Sequence, residues 1–278
     1  MKKFSLFFVL ALSLLLAACG SSDEGKSGDS ASEGTTKLVV GASNVPHAEI
    51  LEEAKPLLEE EGVELEIVTY QDYVMPNKAL ADEELDANYF QHIPYLESQI
   101  KDNGYDFVNA GGIHIEPIGV YSKKYDSLDE LPEGAEIIMS SSVADHGRML
   151  SMLEAQGLIT LKDDIDKTTA TVQDIVDNPK KLTFKTDIEA SLLPQVYNND
   201  EGDAVLINSN YALDAGLNPT EDAIALEDAN SPYVNVIAVN SGDEDNEAIQ
   251  KLVEVLHSEK IQEFILSEYG GSVVPVTE

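Results

Sequence analysis

From residue 37 onward, hydrophobic and polar positions follow short strand-like and helix-like patterns. Residues 37–41 form an apolar run of strand length. Apolar positions within 50–58 recur three and four residues apart, which is the spacing of one face of a helix. Val63, Leu65 and Ile67 alternate with glutamates, which predicts a strand with one face in water.

The same patterns continue to the C-terminus, and the alternation of strands with helices predicts a mostly parallel α/β sheet. We expect strands at 37–41, 63–67, 85–90, 113–121, 136–140, 182–184, 204–208 and 234–240, and helices at 50–58, after Pro76, and at 94–102, 147–156, 171–177, 188–197, 246–257 and 260–269. Residues 85–92 and 202–208 each run from a strand into polar loop residues. This suggests two α/β lobes with polar side chains at their strand ends, where open α/β sheets bind ligands.

The N-terminus has a different pattern. Lys2 and Lys3 precede thirteen mostly apolar residues, a length that is too short to cross a bilayer but suits a signal peptide. Residues 16–19 then resemble a bacterial lipobox ending in Cys19; the alternative is a plain signal peptide with an incidental cysteine. We predict a lipoprotein signal peptide at 1–18, acylation of Cys19, and a flexible tether at 19–36 that lacks large apolar residues.

The net charge of the chain argues against some classes of binding partner. The chain has 17 basic and 52 acidic residues, a net charge of -35, which argues against nucleic-acid binding and against docking of the folded part on anionic lipid. Removing 1–18 takes away two lysines and no acids, so the exported chain carries about -37. An apolar fraction of 43% is that of a globular protein, so the charge does not indicate disorder.

The sequence shows no sign of covalent chemistry. Residues 110–112 lack the spacing of a nucleotide-binding glycine loop, and no Gly-x-Ser-x-Gly motif is present. The single cysteine lies outside the predicted fold. We therefore expect a protein that is not an enzyme and that needs no cofactor.

Four histidines deserve a test for metal binding, because they fall at predicted strand ends or loops where they could converge. Three imidazoles and a carboxylate would make a zinc site. No pair has helical spacing, however, so we expect no metal and keep a metal-binding lipoprotein as an alternative. These histidines are His47, His92, His114 and His146.

Arg148 is the only arginine among the 17 basic residues. Its position near a predicted helix start suggests a site that needs the planar, bidentate guanidinium, as a carboxylate would. Backbone N–H groups of the helix start would assist, and the amide of Asn208 could contact the same carboxylate. The alternative is an arginine that is simply paired with an acidic side chain.

A series of short motifs follows the lipobox at 16–19 in order along the chain: 45–51 (VPHAEIL), 72–77 (DYVMPN), 86–92 (DANYFQH), 114–117 (HIEP), 121–124 (YSKK), Gly147 with Arg148, 207–208 (IN), 211–212 (YA) and 231–235 (SPYVN). Through these motifs the chain resembles the substrate-binding lipoproteins of methionine ABC importers, the MetQ/NlpA lipoprotein family. The resemblance implies a periplasmic-binding-protein fold (type II-like), with two α/β lobes around a ligand cleft. Lobe 1 would comprise 37–124 and 233–278 and lobe 2 would comprise 125–232, with crossings near 121–125 and 231–234.

The resemblance also implies roles and partners. Arg148 would hold the ligand carboxylate with help from Asn208, and Tyr73, Phe90 and His92 would line the pocket for the ligand side chain. We infer from charge that Glu116 pairs with the ligand ammonium. The expected ligand is methionine, L-methionine or a close relative. The expected partners are an ABC permease and ATPase complex and the cell membrane, through the lipid anchor on its extracytoplasmic face.

One departure from the family pattern concerns the ligand. Residues 140–146 (SSSVADH) stand where methionine binders typically show PNDPTN, and Asp145 replaces an asparagine. Either Asp145 contacts the ammonium or the ligand is not plain methionine. A receptor for another amino acid or a short peptide therefore stays open beside methionine.

Overall fold

The structure, a computed structural model, describes residues 35–228 and 230–276. The predicted signal peptide, Cys19 and residues 19–34 of the tether lie outside the described residues. The strands are β1 (Thr36–Ser43), β2 (Val63–Tyr70), β3 (Ala87–His92), β4 (Phe107–Ile115), β5 (Gly119–Tyr121), β6 (Glu136–Ser140), β7 (Thr160–Leu161), β8 (Ile175–Asp177), β9 (Thr183–Ile188), β10 (Ala204–Ile207), β11 (Ala225–Leu226), β12 (Val234–Asn240) and β13 (Val274–Pro275). The α-helices are α1 (Glu49–Glu60), α2 (Met75–Ala81), α3 (Ile93–Asn103), α4 (Val143–Ala155), α5 (Leu193–Asn198), α6 (Ser209–Asp214), α7 (Pro219–Asp222), α8 (Glu247–Leu256) and α9 (Glu259–Tyr269).

The strands form two main sheets, both of mixed direction. The larger sheet has the order β13-β4-β12-β3-β1-β2 and the other has the order β11-β5-β10-β6-β9, while β7 and β8 form a separate pair. Strand β1 is parallel to β2 and β3, but β12 is antiparallel to β3 and β4. The prediction of a mostly parallel sheet was wrong, because the chain returns from the second sheet as β12 and runs against both of its neighbours.

Apolar side chains cover both main sheets and form the core. Helix α1 buries Ile50, Leu51, Ala54 and Leu58, the face predicted from the spacing, and packs beside α8 and α9. Burial of one such leucine contributes about 2 kcal/mol. The helix continues through Pro56, which lies on its exposed side.

The chain passes between the main sheets twice. Strand β4 of the larger sheet ends at Ile115, and β5 pairs with β10 and β11 of the second sheet, so the first crossing lies at residues 116–118. This is earlier than the expected 121–125, because Pro117 has no N–H and ends the strand expected at 113–121. The division into lobes at residue 124 stays a prediction, and the strand pairing favours moving that boundary to residues 116–118. The chain returns to the larger sheet between β11 and β12.

Residues 171–177 differ from the expected helix. Thr171 and Asp174 cap a single 3-10 turn reciprocally, with each side chain bonded to the other's backbone N–H. Ile175–Asp177 then pairs with β7 as strand β8. Local side-chain capping together with two β-branched residues therefore outweighs the helical spacing.

Candidate functional site

A cavity is lined by residues from both main sheets. The side chains reach it from the ends of β3, β4 and β10, from the start of β12 and from the first half of α4. All seven residues predicted to bind a ligand line this one cavity: Tyr73, Phe90, His92, Glu116, Asp145, Arg148 and Asn208.

Arg148 is 4% exposed, and most of its guanidinium is bonded to protein. Its Nε donates to Oε2 of Glu227 at 2.9 Å, and its Nη2 donates to Glu227 and to the backbone oxygen of Glu116, the latter at 2.7 Å. The guanidinium carbon lies 4.5 Å from the centre of the Tyr233 ring. The ion pair considered from the sequence is therefore present, and Nη1 is the guanidinium nitrogen without a hydrogen bond among the described residues.

Helix α4 begins at Val143, four residues before the predicted start. The N–H of Arg148 therefore lies inside the helix, and the N–H groups without a helical partner belong to the first turn. Gly147 is required by packing, because a Cβ there would lie 1.9 Å from the backbone oxygen of Lys167. The position of Arg148 thus depends on close contact between α4 and the turn at Lys167–Thr169.

Asp145, in the first turn of α4, is 2% exposed and links several groups of the site. Its Oδ1 accepts from Nε2 of His92 at 3.1 Å and its Oδ2 accepts from Nδ2 of Asn208 at 3.1 Å. Oδ1 also lies 3.8 Å from Nη1 of Arg148. Burial alone would raise the pKa of Asp145, but these partners outweigh it and lower the pKa.

His92 has a defined tautomer. Its Nδ1 accepts the N–H of Tyr95 and so caps the N-terminus of α3, at 3.1 Å. Its Nε2 must therefore carry the proton that is donated to Asp145. His92 joins the two main sheets through this bond instead of offering a free nitrogen to the cavity.

Glu116 lies at the first crossing and is held by two histidines. His114 Nε2 lies 2.9 Å and His47 Nε2 lies 3.2 Å from the same oxygen, Oε1. Burial alone would raise the pKa of Glu116, but His47, His114 and Arg148 lower it below its ordinary value. An ionised carboxylate therefore lines the cavity.

Among the described residues, one group of ligating side chains has the spacing that a metal ion needs: His47, His114 and Glu116, whose nitrogen and oxygen atoms lie within 4.8 Å of one another. His114 Nε2 is hydrogen-bonded to Glu116, and His47 Nε2 is hydrogen-bonded to Asn235 while it lies beside the same carboxylate, so these contacts do not require an ion. Of the other two histidines in the predicted set, His92 is bonded to Asp145, and His146 donates to the backbone oxygen of Ser140 at 2.8 Å.

Aromatic rings form one wall of the cavity. The ring centre of Tyr73 lies 6.0 Å from that of Phe90, 5.9 Å from that of Tyr95 and 5.0 Å from that of Tyr211. Burial raises the pKa of Tyr73 well above its usual range, so the phenol stays protonated and donates to Oδ1 of Asn210 at 2.6 Å. This bond also joins the two main sheets.

Several lining residues were not predicted. Gln91 belongs to a buried amide network with Asn77 and Asn88. Asn235 contacts His47 at 3.1 Å. Gln91 and Asn235 both lie in motifs that carry the family resemblance, so these motifs could have identified them. Sequence spacing alone does not show which side of a strand faces a cavity. The residues missed are Gln91, Tyr95, Ser209, Asn210 and Asn235.

The described residues contain no helix with both the length and the apolar character needed to cross a bilayer.

The two mixed sheets with a polar, partly aromatic cavity between them define a two-lobed α/β binding protein with a periplasmic-binding-protein-like fold. The sequence profile of the NlpA lipoprotein family matches residues 38–277. The chain is 52% identical to the methionine-binding lipoprotein MetQ of Bacillus subtilis over 272 residues, 97% of each protein. It belongs to the NlpA lipoprotein family, which confirms the resemblance.

Solved structures of other proteins are similar to this chain in both sequence and fold. A pheromone cOB1 precursor/lipoprotein of the YaeC family from Enterococcus faecalis is 57% identical, with a TM-score of 0.84 over 87% of this chain and 100% of that one. A nutrient binding protein from Burkholderia cenocepacia bound to methionine is 44% identical, with a TM-score of 0.81 over 86% of this chain and 100% of that one.

Proposed function

We propose that this chain is the substrate-binding lipoprotein of an ABC importer and that it captures methionine, L-methionine or a close relative. The observation that carries the proposal is the single cavity where Arg148, Glu116 and an aromatic wall meet. A free amino acid carries a carboxylate, an ammonium group and a side chain. These three groups match Arg148, Glu116 and the aromatic wall, respectively. Relatives named for methionine binding support the choice of ligand.

The ligand carboxylate would approach Nη1 of Arg148, since Glu227 and the Glu116 backbone oxygen occupy the other guanidinium nitrogens. The ammonium would approach Glu116. The role proposed for Asn208 changes, because its Nδ2 is bonded to Asp145 while its buried Oδ1 has no partner among the described residues. An unpaired acceptor favours an N–H donor, so Asn208 would accept from the ammonium instead of assisting the carboxylate.

The thioether would lie against the rings of Tyr73 and Phe90. Sulfur packs favourably beside aromatic rings, at about 5 Å and with about 0.3–1.5 kcal/mol for each contact. His92 and Asp145 would close the cavity by joining the two main sheets, so that the ligand is held between them. No covalent step is required, which fits a binding protein and not an enzyme.

Capture at a membrane requires an anchor and a receiver. Acylation of Cys19 would hold the chain on the extracytoplasmic face of the cell membrane, with 19–36 as a tether. The ligand would pass from the cavity to an ABC permease driven by its ATPase. The family description as lipoproteins supports the anchor.

The test is a thermal unfolding screen of the full chain in mild detergent, followed by calorimetry, with L-methionine, D-methionine, other amino acids and methionine-containing dipeptides. Ligand at a hundred times its Kd should stabilise the fold by about 2.7 kcal/mol, which is a rise in Tm of roughly 5–10 °C. Arg148→Lys keeps the charge but loses the guanidinium geometry, and should weaken methionine binding about tenfold or more. If no member of the screen changes Tm, the proposal fails.

A second candidate is a receptor for another amino acid or a short peptide, and the observation that favours it is Asp145. Its carboxylate lies 3.8 Å from the guanidinium nitrogen that a ligand carboxylate would need. A ligand without a free carboxylate at this position, such as the N-terminal residue of a peptide, would avoid that competition. Tighter binding of a methionyl dipeptide than of methionine in the same screen would favour this candidate.

A further inference from the structure

Behind the ligand cavity, two buried histidines from different elements lie beside the carboxylate of Glu116: His114 is hydrogen-bonded to it, and His47 Nε2 lies 3.2 Å from the same oxygen. His47 precedes α1 and is 1% exposed, while His114 lies in β4 and is 0% exposed. We propose that His47 and His114 are positioning residues: they hold Glu116 ionised, with its second oxygen toward the cavity, so that capture of an ammonium-bearing ligand does not depend on pH near neutrality. This inference rests on the proposed function.

The tautomer of His114 is set by Tyr89. The Tyr89 hydroxyl is hydrogen-bonded to Nδ1 of His114. Burial raises the pKa of Tyr89 well above its usual range, so the phenol keeps its proton and is the donor of this bond. A neutral imidazole whose Nδ1 accepts a proton carries its own hydrogen on Nε2. His114 therefore donates to Glu116 Oε1.

The tautomer of His47 is set by its two acceptors. Its Nε2 lies 3.1 Å from Oδ1 of Asn235 and 3.2 Å from Oε1 of Glu116. A nitrogen facing two acceptors must carry the hydrogen, which leaves Nδ1 as an acceptor without a partner among the described residues. The hydrogen bond of Nε2 goes to Asn235, and the same N–H lies beside Oε1 of Glu116.

Both histidines reach Oε1, so Oε2 is the oxygen of Glu116 that remains for a ligand. The charged group on the cavity side is Arg148, whose Nη2 donates to the backbone oxygen of Glu116 at 2.7 Å. Burial raises the pKa values of three nearby phenols, and the charge of Glu116 raises them further. These phenols belong to Tyr73, Tyr89 and Tyr269. The N–H of His114 is therefore the hydrogen-bond donor that stabilises the buried carboxylate, and the N–H of His47, 3.2 Å from the same oxygen, adds a favourable dipole.

The experiment is calorimetric titration of the full chain with L-methionine between pH 5.5 and 7.5. In the wild type, the Kd should change less than about threefold over this range, because Glu116 stays ionised. His114→Leu removes one donor, so binding should weaken about tenfold at pH 7.5 and fall by about a further tenfold toward pH 5.5 as Glu116 takes up a proton. Glu116→Gln should bind weakly with no such pH dependence.

Two variants separate positioning from folding. His114→Gln supplies an amide donor and should restore most of the affinity and the flat profile. His146→Leu is the matched control, because it removes another buried histidine that bonds to the backbone of Ser140 and does not contact Glu116; its profile should stay flat. Should His114→Leu not fold, His47→Leu removes the other N–H that lies beside Glu116, and its binding should also weaken toward pH 5.5, by less than in His114→Leu.

A flat profile in both leucine variants would overturn the inference. So would a zinc-dependent rise in Tm of the wild type that His114→Leu abolishes, because the three side chains would then form a metal site. Absence of methionine binding in the wild type at every pH would instead refute the proposed function.

Discussion

Acid should destabilise this protein through His47, well above the pH at which carboxylates titrate. The imidazole is 1% exposed and packs edge-on against Tyr89, with ring centres 4.6 Å apart. Burial lowers the pKa of His47 to about 4, although the charge of Glu116 acts in the opposite direction. In the unfolded chain the pKa returns to about 6.5.

The sign and the size of the effect follow from these two values. Between pH 6.5 and 4 the unfolded chain binds a proton that the folded protein does not, so the free energy of unfolding falls as the pH falls. Integrated over the two pKa values, the loss is about 2 kcal/mol between pH 7 and 5, and about 3 kcal/mol by pH 4. The lowered pKa values of Glu116 and Asp145 add a further loss only below their ordinary values near 4.

Urea unfolding at pH 7 and pH 5 measures this effect, with His47→Gln as the variant that keeps a donor but cannot titrate. The chain has eleven tyrosines and no tryptophan, so near-ultraviolet and far-ultraviolet circular dichroism should both be followed to check for a two-state transition. The loss of stability between the two pH values should be about 2 kcal/mol smaller in the variant. A difference below about 0.5 kcal/mol would refute the assignment of a buried, neutral His47.

Three further changes test the site. Gly147→Ala places a Cβ 1.9 Å from the backbone oxygen of Lys167 and should cost about 2 kcal/mol or more in unfolding free energy, while an unchanged Tm would contradict the tight packing of α4. Tyr73→Phe removes the 2.6 Å bond to Asn210 and should weaken methionine binding about fivefold in calorimetry; equal affinity would show that this bond does not support closure. Asp145→Asn removes the charge 3.8 Å from the guanidinium and should tighten methionine binding about tenfold, whereas weaker binding would assign Asp145 to the ammonium.

Much of the local structure could be predicted from pattern. The strand β6 and the strand β12 begin and end where they were expected, because each is an apolar run bounded by polar residues. The strand pairing favours an earlier first crossing than the expected 121–125, and Pro117 is visible in the sequence as a residue that cannot continue a strand. The direction of β12 has no local signal, since it depends on where the chain re-enters the larger sheet.

The sequence identified seven residues of the candidate site but not the hydrogen bonds that they make. Motifs, charge and the departure at Asp145 identified the seven lining residues, with Arg148 expected either to hold the ligand carboxylate or to pair with an acidic side chain, and Asn208 expected to assist the carboxylate. In the structure, Glu227 occupies two guanidinium nitrogens and Asp145 occupies the Asn208 amide. Each donor hydrogen makes one strong hydrogen bond. The role of each side chain therefore depends on which groups the fold places beside it.

Most of the elements, the family and the residue types at the cavity could be predicted from the sequence, because periodicity, composition and motifs are local properties of the chain. Which charges face each other depends on the folded arrangement of distant parts of the chain. Arg148 meets a glutamate 79 positions away and His47 meets an asparagine 188 positions away. Charge and hydrogen-bond energies depend on distance and burial, and only the folded chain sets these for residues so far apart.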